Sequence, residues 1–279
     1  MEPKKHAIVT GAASGLGRAT AVELARHGWH VAVADVNDAG SQETLTLLRA
    51  AGGQGQVEHL DVTRPEEWQA LRDRLQNAWP NLDLLVNNAG VGVGGEVGTL
   101  PLDDWHWIVN INLYGAIYGC HMLVAWMKGN PRGAHIVNIA SMAAVASAPG
   151  MAPYNVTKAG MLSLSETLYG ELKPHNIGVT AVCPSFFQTN ILRSGRFQDE
   201  GQKNMAAKLM SRSSATADDV AHRILRAIER RQLYVMVPGI ATFYWRLKRL
   251  APRFVLNLIA HRYAKETAAP RKPEEIRSH

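Results

Sequence analysis

With 279 residues, 46% of them hydrophobic and 19% charged, the chain can bury one sizeable core, and its length is ordinary for a single α/β domain. Its net charge of +6 lies entirely in residues 240–279, which hold nine Lys/Arg and three Asp/Glu; the preceding 239 residues are neutral and carry no nucleic-acid module, so a nucleic-acid partner is not expected. Eleven scattered histidines and two isolated cysteines, Cys120 and Cys183, offer no metal-ligand spacing and no disulfide framework.

In chain order, β-branched runs at 7–10, 30–35, 56–60, 82–86, 135–139, 178–183 and 233–237 predict strands. Helical patterns at 15–28, 38–51, 65–79, 102–128, 152–173 and 216–231 fall between them. Such alternation predicts a doubly wound (Rossmann) α/β fold: a seven-stranded parallel sheet with helices on both faces. Residues 1–239 are expected to form this one domain, with the polar, irregular stretch 185–215 as a lid over its site. Residues 240–279 read as a C-terminal extension that mixes large apolar residues with arginines at helical spacing. It is expected to pack on the body, pack on a partner, or make peripheral contact with a membrane. A cytoplasmic setting is expected from the unpaired thiols, from an N-terminus that runs directly into residues 7–9 without a signal-peptide core, and from the lack of an 18-residue uncharged apolar run.

Thr10-Gly11-Ala12-Ala13-Ser14-Gly15-Leu16-Gly17 follows the first strand and opens the first helix. Glycines there let the backbone approach a pyrophosphate held at a helix N-terminus. Asp35 ends the second strand, where a carboxylate accepts hydrogen bonds from a ribose 2′-hydroxyl and repels a 2′-phosphate. Ser14 is not basic and no Lys or Arg directly follows Asp35, so NAD is expected rather than NADP. The competing reading of Asp35 is a strand-end turn residue.

Tyr154 and Lys158 stand four residues apart on one helix face, thirteen residues after Ser141. A free phenol titrates near ~10, so a neighbouring ammonium is needed to favour the phenolate at neutral pH. Lys158 is placed to supply that charge, which makes Tyr154 a candidate base.

These residues, with Asn87-Asn88-Ala89-Gly90 and Asn112, resemble the short-chain dehydrogenase/reductase family over about residues 5–237, with five motifs in the family's order and spacing. The resemblance implies Tyr154 as general acid/base and Lys158 as the residue that holds it reactive and bonds the nicotinamide ribose. It implies Ser141 as donor to the substrate oxygen, and Asn112 as a residue that disturbs its helix and helps pass a proton through water to the lysine. Cofactor contacts are implied at Gly11, Ser14, Gly15, Leu16, Gly17, Asp35, Asp61, Val62, Asn88, Ala89, Gly90, Tyr154, Lys158, Pro184 and Thr189. One departure stands out: the family has Pro-Gly after the sixth strand, where this chain has Pro184-Ser185, and serine takes glycine's unusual backbone angles less readily.

The segments 91–97 and 142–151, Phe186, Phe187, Met205 and Met210 are expected to line a largely apolar pocket suited to a lipophilic alcohol or ketone. The resemblance also implies a homo-oligomer formed through helices 102–128 and 152–173. The alternatives are an NADPH-dependent carbonyl reductase and a catalytically silent dinucleotide-binding sensor.

Overall fold

The computed structural model describes residues 4–185, 191–198, 200–211 and 215–267. Its framework is a single sheet of seven parallel strands in the order β3-β2-β1-β4-β6-β7-β9. These are β1 (Lys5–Thr10), β2 (Trp29–Asp35), β3 (Gln54–His59), β4 (Leu84–Asn87), β6 (Ala134–Ile139), β7 (Ile177–Pro184) and β9 (Tyr234–Val237). Central strands are covered on both faces, which is why β4, β6 and β7 are buried along their whole length and read as continuous apolar runs. The strand order reverses between β1 and β4, which pair as neighbours from Ala7↔Leu84 to Val9↔Val86. In doubly wound sheets such a switch point opens a crevice at the carboxyl ends of the strands.

Helices α1 (Gly15–Arg26), α2 (Asp38–Ala50), α3 (Pro65–Ala78), α4 (Leu102–Val109), α5 (Gly115–Lys128), α7 (Ala152–Leu172) and α10 (Ala217–Glu229) surround the sheet. One face is sealed by Leu24 of α1 with Val220, Ile224 and Leu225 of α10. The other is sealed by Trp68, Leu71 and Leu75 of α3, Leu123 and Met127 of α5, and Leu168 and Leu172 of α7. Trp68 is fully buried without stranding its indole, which donates to the Val62 carbonyl at 3.0 Å.

Three expectations change. The helix expected over 102–128 is divided by a five-residue π-helical turn, Asn110–Tyr114, between α4 and α5. The 27-residue stretch Leu102–Lys128 is, by length and composition, apolar enough to cross a membrane, which corrects the reading that no such run exists. Here it is a core helix whose Ile108, Asn112, Ala116 and Leu123 face the body of the domain. Finally, the stretch 185–215 is not simply irregular: its described parts form α8 (Ile191–Ser194), β8 (Arg196–Phe197) and α9 (Glu200–Ser211). The two-residue strand β8 pairs in parallel with β5 (Val93–Gly94).

The C-terminal helices α11 (Ile240–Leu250) and α12 (Pro252–Thr267) pack one face on the body. Trp245 lies against Tyr234 with ring centroids 5.0 Å apart, and Ala241 and Val255 are buried. The Lys248 ammonium donates to the Val145 carbonyl at the end of the short helix α6 (Ala143–Ala146), and Tyr263 Oη donates to Glu96 at 3.3 Å.

Candidate active site

On the nucleotide side, the sheet delivers three loops to one place. Gly11 and Gly15 have φ of 62° and 54°, backbone that favours glycine. A Cβ on Gly17 would stand 2.2 Å from the Gly11 carbonyl oxygen, so this turn closes only around a bare backbone. Thr10 Oγ1 accepts the amides of Asn88 and Ala89, each at 3.0 Å, while Asn88 Nδ2 donates to the carbonyls of Thr10 at 2.8 Å and Gly11 at 3.1 Å. Leu16 and Gly17 are buried against this framework. At the start of α1 the Ser14 side chain makes no capping bond and the first turn has no acidic residue, which leaves an N-terminus suited to a pyrophosphate. Space is open above Gly15, where an added Cβ would meet nothing within 4 Å.

Asp35 faces this loop. Its Oδ2 accepts the Ala13 amide at 3.0 Å and its Oδ1 the Asn37 amide at 3.0 Å, so it is part strand-end turn and part loop anchor, with lone pairs left for a diol. Sequence reasoning missed Arg18, directly after the glycine motif. Its guanidinium reaches the Ala13 and Gly40 carbonyls, Thr44 Oγ1 at 3.0 Å and Glu43 at 2.8 Å. A cation therefore does lie near the Asp35 loop, with its charge met by Glu43. Asp61 accepts from the Thr63 amide and hydroxyl at 2.9 and 2.7 Å, which shapes the turn after β3 and places half-buried Asp61 and buried Val62 at the rim.

The catalytic candidates converge across the switch point. Lys158 lies two turns into α7 and is only 4% exposed; its Nζ donates to the Ile139 carbonyl at 2.7 Å and lies 5.7 Å from the centre of the Tyr154 ring. Gly90 comes so close that a Cβ there would be 3.5 Å from Lys158 Nζ and 3.2 Å from Asn112 Oδ1. Burial pushes the lysine down to about 8. For Tyr154 the expected lowering is not found: loss of solvent raises the phenol above its usual value, and a hydrogen bond with Ser141 only partly opposes this. Within the protein alone, burial therefore favours the phenol over the phenolate. Ser141, at the end of β6, accepts the Ala143 amide at 3.0 Å and donates to Pro184 at 3.4 Å.

Asn112 is fully buried inside the π-helical turn, as the implied helix disturbance requires. Its amide grips Val91 at both ends, accepting from the nitrogen at 2.8 Å and donating to the oxygen at 2.9 Å, and it also donates to Thr157 Oγ1 at 3.3 Å. Behind it, Asn87 donates to Asn138 at 2.8 Å and Asn138 to Ser165 at 2.9 Å, a buried chain that fixes β4, β6 and α7 to one another. Repeated Asn at strand positions was the one signal that could have revealed it.

Pro184 ends β7, and its carbonyl also receives the Met142 amide at 2.8 Å. Ser185 is not among the positive-φ residues and donates to Val237 at 2.6 Å, so glycine's absence imposes no backbone strain. Phe186, Phe187, Thr189 and the Met205 side chain lie outside the described residues, and Met210 is half-buried. Tyr154 packs against Val93, Leu100 and Ile108. An open cleft of about 540 Å³ between 95–97, 147–152 and Tyr263 is a different place: it uses Ala152, Asn155, Val156 and Ala159 of α7. At 100° per residue these face away from Tyr154 and Lys158. Among the described residues no group of His, Cys, Asp and Glu could hold a metal ion.

The sequence matches the short chain dehydrogenase family over residues 5–200. The chain is a short-chain dehydrogenase/reductase. The match places it in an oxidoreductase family, with the fold the sequence implied. It is 31% identical over 253 residues to a probable oxidoreductase, EphD, of Mycobacterium tuberculosis; the match takes in 88% of this chain but only 43% of that protein, so the chain spans under half of that relative's length. A 3-oxoacyl-[acyl-carrier-protein] reductase of Thermotoga maritima is 29% identical, with 83% of this chain and 93% of the relative covered. Among solved structures, a short-chain dehydrogenase/reductase from Burkholderia phymatum in complex with NAD is 31% identical, with a TM-score of 0.83 and 98% of each chain covered. That coverage takes in the C-terminal helices.

Proposed function

We propose that this short-chain dehydrogenase/reductase interconverts a lipophilic alcohol and its ketone with NAD(H), Tyr154 serving as general acid/base. The observation that carries the reading is the convergence of Ser141, Tyr154 and Lys158 beside Gly90 and the Asn112 turn. A bound nicotinamide supplies the hydride acceptor or donor. Around it the chain's own groups divide the work. Gly11, Ser14, Gly15 and Gly17 offer backbone to the pyrophosphate, Asp35 offers its carboxylate to the ribose diol, and Asp61 and Val62 border the adenine side. Asn88, Ala89, Gly90, Pro184 and Thr189 are the proposed contacts toward the nicotinamide. In the oxidative direction Tyr154 takes the hydroxyl proton while Ser141 donates to the same oxygen as charge develops there.

Three lesser points belong to the same proposal. Val91, Val93, Leu100 and Ile108 around Tyr154 favour a lipophilic substrate. Exposed Tyr114, Val156 and Tyr169, at 44%, 51% and 39%, favour self-association through the π turn and α7. Two buried thiols, both pushed up to about 12, suit a reducing cytoplasm. An NADPH-dependent reductase is the second reading, and the Arg18 guanidinium near the Asp35 loop is what favours it.

The test is initial-rate formation of reduced cofactor across a panel of lipophilic alcohols, with NAD and NADP run in parallel. Turnover with at least tenfold preference for NAD is expected. Preference for NADP would remove the Asp35 argument, and turnover of polyols alone would remove the substrate class.

A further inference from the structure

We infer that α10 and α11 together form a docking surface for an anionic membrane. Arg223 and Arg226 on exposed positions of α10 and Arg230, which caps its end, follow one another, and exposed Arg246 faces them from α11. With Tyr234 and Trp245 these four arginines line an open groove of about 650 Å³. None of the four forms an ion pair among the described residues. Acidic groups do stand close by. On α10, Asp219 lies one turn from Arg223, is attracted by it and accepts the Thr216 amide and hydroxyl at 2.9 and 2.8 Å. Asp218 and Glu229 form no ion pair among the described residues, and Glu166 accepts from Tyr234 Oη at 2.8 Å. The four arginines, with Arg249 over Trp245, outnumber these acids.

The groove borders an apolar stripe. On α11, Ile240, Phe243 and Leu250 are 62%, 59% and 84% exposed and lie with Tyr244 within one side of the helix, at 0°, 300°, 280° and 40° by the 100° repeat. Arg246, at 240°, stands between this stripe and the groove. The packed side, with Ala241, Trp245 and Lys248 at about 80–140°, is the one held by the body, so the stripe is left uncovered by the described residues. On α12, Phe254 and Leu258 continue the exposed apolar character at i and i+4, at 63% and 43%. Large apolar residues beside unpaired arginines match a bilayer interface, whose acyl boundary takes the rings while anionic headgroups take the guanidinium groups. Charge selects that occupant: α11 and α12 hold six Lys/Arg against the single acid Glu266, beside the three arginines at 223, 226 and 230. The inference does not depend on the dehydrogenase reading, because docking requires no turnover.

The experiment is flotation of the full-length protein with vesicles of phosphatidylcholine containing one quarter phosphatidylglycerol, and with pure phosphatidylcholine. Recovery is expected with the anionic vesicles, at least about tenfold weaker with neutral ones, and abolished by 0.5 M salt. Replacing Arg223, Arg226, Arg230 and Arg246 by Gln should reproduce the loss, and Phe243→Ser with Leu250→Ser should weaken binding at low salt. These side chains are exposed, and the salt response of the unaltered protein gives an answer that needs no variant. Equal recovery on both vesicles, recovery on neither, or anionic binding that survives loss of the four arginines would each overturn the proposal. So would a Phe243→Ser/Leu250→Ser protein that loses a dimer in sedimentation when the parent never floats; that result would give the face to a second copy of the chain.

Discussion

The nucleotide side and the substrate side of the crevice are built differently. On the nucleotide side, chain segments far apart in sequence are locked by hydrogen bonds from strand ends: Thr10 Oγ1 takes amides 78 and 79 residues away, and Asp35 takes one 22 residues away. On the substrate side the described walls are loops tied mostly to one another, by Arg196 to Gly92 at 2.9 Å, Gln198 to Gly94 at 3.0 Å and Thr99 Oγ1 to Gln198 at 2.8 Å. Under the proposed function, the chemistry would rest on positions the sheet fixes and selection of the molecule on segments around them.

That contrast can be broken. Its largest expected effect is at Gly17→Ala, whose methyl would meet the backbone of Gly11 at 2.2 Å and Asn88 Nδ2 at 2.5 Å. A loss of about 2 kcal/mol or more in urea unfolding and loss of NADH binding are expected. Gly98→Ala, on the substrate side with nothing within 4 Å, should stay within about 0.5 kcal/mol. Equal costs at the two positions would erase the contrast.

Asn112→Ala should come next, lowering kcat about a hundredfold, because removal of the amide leaves both Val91 backbone groups unpaired beside Lys158. A steady-state assay with unchanged kcat would show that the clamp has no part in turnover. Lys158 itself sits at the seam between the two sides. Its native value of about 8 is below the 10.5 of an unburied lysine, so between those values the unfolded chain holds a proton the folded chain has shed. Folding therefore carries the full cost of the buried charge below pH 8 and gains stability as pH rises toward 10.5. Relative to Lys158→Met, the protein should gain on the order of 2 kcal/mol between pH 7 and pH 10. A constant difference between the two unfolding profiles would mean that the lysine is not desolvated. The smallest effect belongs to Lys248→Met, which frees the 143–147 segment from α11. A few-fold rise in KM with kcat preserved is expected, and a matching fall in kcat would place that segment on the chemical side.

The same contrast explains what the sequence made legible. All seven sheet strands could be read from β-branched runs, and Gly11, Asp35 and Lys158 from their spacing, because strand ends and helix faces have fixed periods, while Asn88 and Ser141 came with the resemblance. The π turn at Asn112 has no period of its own; only the resemblance hinted at it. Arg18 was passed over because its partners, Glu43 and Thr44, lie a full strand and helix away. The strand pairing of 93–94 with 196–197 is two residues long, too short for any pattern to announce. In the tail, helical spacing disclosed the apolar stripes but not which of them faces Tyr234 and which faces outward. The expectation that Lys158 would lower the Tyr154 pKa failed because desolvation of the phenol, which no sequence pattern reports, outweighs the help it receives.

The most direct test of the account is Tyr154→Phe, which deletes one oxygen from a half-buried side chain and leaves its packing against Val93, Leu100 and Ile108 in place. Fluorescence titration with NADH should give binding within a few-fold of the unaltered protein, while turnover of the best substrate falls by at least about a thousandfold. A Tyr154→Phe protein that still turns over within tenfold of its parent would contradict the assignment of the proton to this phenol.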